Sequence, residues 1–203
     1  MSTGTEKAMA YYRPPGEEKV KSWLAPVTRH LELPELDEEG FVFAPFKASE
    51  DFPIFYMRGK PEIIEEDDVV KTDILLPDQP DWKMSKEEYL KGVKLIKEAI
   101  ATSRLKKCIA WRSEAREIAR MHPTLLFWIL MSDNPDTAAY MFYHHQKGCW
   151  MGASPETLIR VDNGDAKSMA LAGTKMNSKI GGHQSWTKKE HEEHQMVSEY
   201  IED

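Results

Sequence analysis

Glu156, Lys107, Glu190 and Glu193 are the residues whose types and settings invite chemistry. Glu156 stands in "CWMGASPETLIR", residues 149–160, directly behind a Ser-Pro break between two apolar runs. Proline removes a backbone donor and stops a strand, so the glutamate is presented at a fixed break rather than on a regular face. It is either a turn with a solvated carboxylate or an aimed acid, and an acid that works at neutral pH needs a buried setting. Lys107 opens the apolar run "KCIAW", residues 107–111. A lysine there either snorkels to water or, if buried, serves as a base. Glu190 and Glu193 lie in "TKKEHEEHQMVSEYIED", residues 187–203. Helical spacing puts Glu193 on the face of Met196 and Val197, with Glu190 one turn earlier on the same side. Two carboxylates on a buried face need a cation, a hydrogen-bond donor or a proton, and Mg2+ suits oxygen ligands. The alternative is a solvated first turn in which acids favour the helix dipole. His191 and His194 are three residues apart, not the four that zinc proteases of the His-Glu-x-x-His type require, so that chemistry is excluded.

The elements that must hold these groups are readable in outline. "FVFAPF" (41–46) and "IFYMRG" (54–59) alternate as strands split by an acidic turn. The polar residues before them, 1–40, show only a short amphipathic piece around Val20, Trp23 and Leu24. Residues 61–82 read as a loop-rich connection whose acids, Glu65 to Asp68, are solvated. Ser85 and Glu88 form a capping box, and Tyr89, Val93, Ile96 and Ile100 share one helical face behind it. "KCIAW" is expected as a short buried strand. "HPTLLFWILM" fits a helix with Pro123 in its first turn. Ala138 to Tyr143 and Cys149 to Met151 read as paired strands around residues 145–148. "TLIRVD" and "AKSMALAG" flank an Asn163-Gly164 hairpin signal. Thr187 and Glu190 cap a last helix, whose apolar stripe is Met196, Val197, Tyr200 and Ile201. Helices mixed with antiparallel hairpins give an α+β fold, a largely antiparallel sheet with flanking helices.

With 203 residues, 41% hydrophobic and 30% charged, the chain has an ordinary globular composition, read as one domain over 1–203. A net charge of −7 argues against sequence-independent nucleic-acid binding, but not against a small anion at a local site. No apolar run approaches a membrane span, and the first residues carry no apolar signal segment. Two cysteines, Cys108 and Cys149, have no metal-ligand spacing. Both are expected as small core residues in a reducing, cytoplasmic compartment.

Taken in order, "KCIAWR", "GASPETLIR", "ALAGT" and "KKEHEEHQMV" resemble the chorismate-utilising enzymes, over about residues 85–203. The closest likeness is to the isochorismate synthases. The resemblance implies roles residue by residue. Lys107 falls where isochorismate and salicylate synthases carry the lysine that activates water, whereas anthranilate-type subunits carry glutamine there. Leu171 points the same way, since the amine-using branch more often has Pro-Ile before Ala-Gly-Thr. Glu156 falls on the general acid, Ala172, Gly173 and Thr174 on the substrate-binding turn, and Glu193, with Glu190 beside it, on the Mg2+ ligands. The implied reaction converts chorismate to isochorismate, a precursor of menaquinones or siderophores. The implied partner is the small-molecule substrate alone, with no nucleic acid, membrane or obligatory protein partner for the complete enzyme. The likeness departs where "CIAWR" is bulkier than the usual small aliphatics and "GTKMN" lacks an arginine. Family members continue past the Glu-His helix, so the chain is expected to be an incomplete N-terminal portion of a chorismate-binding domain carrying about half a site. The alternatives are a salicylate synthase, an anthranilate-type large subunit, or an inactive fragment.

Overall fold

The computed structural model describes residues 6–65, 74, 84–116, 121–174 and 185–202. The acids at 66–68, the apolar residues at 75 and 76, and the polar, glycine-bearing stretch at 175–184 lie outside the described residues. The chain divides into two compact units, Met1–Pro80 with Ile118–Pro155, and Asp81–Glu117 with Glu156–Asp203.

The first unit is built on a five-stranded antiparallel sheet in the order β6-β2-β1-β7-β8. Its strands are β1 (Lys7–Arg13), β2 (Val20–Pro26), β6 (Glu62–Ile64), β7 (Ala138–His144) and β8 (Gly148–Ser154). A smaller sheet, β3-β5-β4, joins β3 (Thr28–His30), β4 (Gly40–Phe43) and β5 (Ile54–Arg58). One face of the large sheet gathers Met9, Tyr11, Val20, Ala139 and Met141 against Phe127 and Met131 of α2 (Pro123–Asp133). The other gathers Ala8, Ala10, Trp23 and Phe142 against Phe55 and Met57 of the small sheet. Arg13, itself buried, ties the layers by donating to the carbonyls of Met131, Asn134 and Thr137 at 3.2, 2.6 and 2.9 Å. These oxygens include carbonyls that the end of α2 leaves without helical donors.

The strands of residues 1–40 correct the sequence reading of that region. β1 is the middle strand and is covered on both faces, so "AMAYY" is a continuous apolar run without the alternation that marks a half-exposed strand. The amphipathic piece around Val20 and Trp23 is strand β2, with both side chains buried. The β7–β8 pairing agrees with expectation and runs from Ala138↔Ser154 to His144↔Gly148. So does α2, which His122 caps and Pro123 opens.

The second unit holds α1 (Lys86–Thr102), the hairpin β9 (Arg160–Asp162) and β10 (Asp165–Lys167), and α3 (Lys188–Glu202). The capping box at α1 is present, with the Glu88 amide on the Ser85 hydroxyl at 3.1 Å and the Ser85 amide on Glu88 Oε2 at 2.8 Å. Asn163 (φ 51°) and Gly164 (φ 90°) make the tight hairpin turn their pair predicts. Two expectations fail here. "KCIAW" forms no strand, and Ile109 and Trp111 are 76% and 72% exposed. A strand needs neighbours for its backbone groups, and β9 and β10 pair only with each other among the described residues. Cys108 is therefore exposed and not a core residue. Cys149 of the first unit does pack against the core, and burial pushes its thiol up to about 11. The far end of the α3 stripe is open as well, with Tyr200 84% exposed. Among the described residues, no helix is long and apolar enough to cross a membrane.

Candidate functional site

The second unit holds a partly open cavity of about 600 Å³, and every described residue lining it belongs to that unit. Lys107, Glu156, Glu190 and Glu193 all line it, as do Ala172, Gly173 and Thr174. The residues selected from the sequence are thus brought together by three separate stretches of chain.

The hairpin brings Glu156 and the Ala172-Gly173-Thr174 turn to one end. Beyond β9 and β10 the two arms stay linked, the Met169 amide donating to the Thr157 carbonyl at 3.3 Å and the Ser168 hydroxyl to the Leu158 carbonyl at 2.6 Å. Glu156 precedes Thr157 and Ala170 follows Met169. Antiparallel pairing therefore delivers the residue behind Ser-Pro and the Ala-Gly-Thr turn to the same place. The Ser-Pro break is also where the chain leaves the first unit, since Pro155 ends one unit's segment and Glu156 begins the other's. Glu156 itself is exposed, so the enclosure that an acid at neutral pH requires is not present around it.

The first turns of α3 supply the carboxylates. Glu190 is turned back onto its own helix start, where the Thr187 amide donates to Oε2 at 3.1 Å and the Thr187 hydroxyl donates to the same oxygen. Those donors hold its carboxyl below the usual range, the hydroxyl contributing most. Gly173 packs on this turn. Its φ is +83°, and an added Cβ would lie 3.2 Å from the Trp186 ring and 3.4 Å from the Glu190 carbonyl oxygen. Both backbone conformation and space call for glycine there.

Lys107 and Glu193 meet directly. Lys107 Nζ lies 3.3 Å from Glu193 Oε1, with side-chain exposures of 27% and 32%. Nothing in the local pattern signals this pairing, since the two residues lie 86 positions apart in the chain. Lys107 is neither isolated nor enclosed in an apolar strand as the "KCIAW" pattern suggested. Trp186, His191 and His194 also line the cavity, beyond the residues that the sequence pattern singles out. Helical spacing places the two histidines with Glu190 and Glu193 along the turns that face the cavity.

The donor set suits a hard dication in kind. Glu190 and Glu193 offer carboxylate oxygens, and Mg2+ commonly takes one or two carboxylates and keeps several waters. Among the described residues, no three His, Cys, Asp or Glu side chains are grouped to hold a metal by themselves. The residues present thus fit an ion that completes its shell with water and substrate oxygens.

Comparison with known proteins bears on the same stretch. The model of the chorismate binding enzyme family matches residues 73–203, more than half of the chain. A salicylate biosynthesis isochorismate synthase from Pseudomonas aeruginosa is 28% identical over 110 residues, 51% of this chain. The chain spans 23% of that relative's length. No solved structure is significantly similar to it.

Proposed function

Since the chain belongs to the chorismate binding enzymes, we propose that it carries the water-activating part of an isochorismate synthase and acts with Mg2+. The observation that supports this reading best is the convergence of Lys107, Glu156 and Glu193 on one cavity that also includes the Ala172-Gly173-Thr174 turn. The likeness to a relative named for isochorismate synthesis supports it further.

In this reading Glu193 and Glu190 hold the cation, which when bound supplies charge neutralisation for the substrate's ring carboxylate. Amides of the Gly173 turn offer donors to a second anionic group. Lys107, as the neutral amine, removes the proton of a water whose oxygen bonds to C2 of chorismate. The ring double bonds shift, the C4–O bond breaks, and Glu156 gives its proton to the leaving hydroxyl. One water enters and one leaves, so the reaction is an isomerisation. Neither starting charge state is the common one at neutral pH, so enclosure of the cavity around bound substrate has to produce both. The menaquinone or siderophore precursor role belongs to this proposal, as does a soluble cytoplasmic setting.

The test uses the native protein purified from its host, with chorismate and Mg2+, and products separated by chromatography. Isochorismate is expected. Lys107→Ala and Glu156→Gln each lower turnover by about a hundredfold or more, the usual worth of a positioned acid or base. Salicylate as the first product would move the assignment to a salicylate synthase. Ammonia-dependent anthranilate would move it to the amine-using branch. Near-normal turnover in either variant would remove that residue's role.

A further inference from the structure

One ion pair in the cavity joins two lining residues whose proposed tasks are incompatible with their being paired. Lys107 Nζ lies 3.3 Å from Glu193 Oε1. In that contact the ammonium occupies a carboxylate oxygen that a dication would use, and it places a like charge beside any ion that arrives. The pair is partly enclosed on both sides, at 27% and 32% exposure, so solvent does not fully screen it. Lys107 also sits on a stretch without strand pairing, so no backbone ladder fixes its position. Glu193, by contrast, is fixed on α3, whose first turn is held by the Thr187–Glu190 contacts.

We propose that the Lys107–Glu193 ion pair is a resting-state latch, which a divalent cation opens by displacing the Lys107 ammonium from Glu193. The inference rests on the reading of Glu193 as a metal ligand. It adds that the cation and the Lys107 ammonium are competitors for that carboxylate, and that binding the ion frees the lysine into the cavity that Glu156 and the Gly173 turn also line. The cation then acts on the site before any substrate chemistry, and its affinity carries the cost of breaking the pair.

The first measurement is Mn2+ affinity by electron paramagnetic resonance, with no substrate present. Lys107→Gln is expected to tighten Mn2+ binding about three- to tenfold, the scale of a partly exposed ion pair together with removal of a like charge. Lys107→Arg keeps the cation and is expected to bind Mn2+ as the unaltered protein does. The second measurement needs no variant of Lys107. The rate of Lys107 acylation by an amine-directed reagent, read by peptide mass spectrometry, should rise several-fold with saturating Mn2+, while neighbouring Lys106 is unchanged. Glu193→Gln should raise it without any metal. Equal Mn2+ affinity in the unaltered protein and Lys107→Gln, with metal-independent acylation, would overturn the latch and leave the metal site standing. Absence of Mn2+ binding in both would overturn the metal site and the latch together.

Discussion

Phe142 and Glu193 belong to two differently built parts of the chain. Phe142, on β7, is fully buried and packs its ring against Phe43, Phe55 and Phe41 at 4.4, 5.3 and 6.3 Å between centroids. Around it the first unit closes two cores, one on each face of a five-stranded sheet. Glu193, on α3, lies in a unit none of whose described residues is buried; α1 and α3 both lack an enclosed side chain. Leu158, Ile159 and Val161 of its hairpin are 89%, 62% and 66% exposed. The candidate chemistry thus sits in the part with little apolar burial, and apolar burial is the main source of folding stability. Stability within one chain is rarely uniform, and sites that must change shape on binding are drawn from its weaker regions.

The largest effect expected from this contrast comes from paired truncations. Phe142→Ala should cost about 3–5 kcal/mol, as a large buried ring leaving a cavity does. Tyr200→Ala, from a side chain 84% exposed, should stay within about 0.5 kcal/mol. Urea unfolding followed by tryptophan fluorescence and by circular dichroism measures both. A comparable loss from Tyr200→Ala would mean that the second unit has a core after all, and the contrast would fail.

An intermediate effect is expected from pH in the first unit. His144 is fully buried among Phe55, His145, Glu6 and Arg29, and its Nδ1 accepts from the Gln146 amide at 3.2 Å. Burial holds its imidazole below the ordinary 6.5, His145 and Arg29 add to this, and Glu6 opposes it. The unfolded chain therefore takes up a proton that the folded one resists. His144's contribution to stability is complete above about pH 6.5 and is lost as the pH falls toward the lower folded value. The urea midpoint of the first unit should drop between about pH 7.5 and pH 5.5, and His144→Gln should flatten that slope. A slope unchanged by the substitution would assign the pH response to another group.

The smallest effect sharpens the comparison from the other side. Ser85→Ala removes the hydroxyl that caps α1 and should cost about 1 kcal/mol. With no buried side chain holding α1 in place, that loss should appear as faster amide hydrogen exchange along Lys86–Thr102, while β1 and β7 keep their protection. Uniform acceleration in both units would show that they unfold together.

What the sequence made legible follows the same division between local and distant causes. The capping box at Ser85, the Thr187–Glu190 contact at the start of α3, the Asn163-Gly164 turn and Pro123 at the start of α2 are set by residues within a few positions of one another, and each lies where the local pattern points. β1 was hidden because coverage on both faces removes the alternation by which a strand is recognised. "KCIAW" misled in the opposite way: its apolar run promised a strand, but a strand exists only with a neighbour to pair with, and that is a matter of distant chain. The candidate site was legible as residues, since the four motifs converge on one cavity. It was not legible as contacts, because a salt bridge between Lys107 and Glu193 leaves no trace in spacing.

The reach of Arg13 has a consequence for how the protein is made. Its carbonyl partner Met131 lies 118 residues further along, which at about 5–20 residues per second means roughly 6–24 s of synthesis. During that interval β1 can pair with β2, which follows it closely, while the edge that β7 will cover stays open. A nascent chain with a long, apolar, unpaired edge is a template for the wrong partner. Slowing translation between β2 and β7 should therefore lower the yield of folded protein, and a chaperone that shields strand edges should restore it.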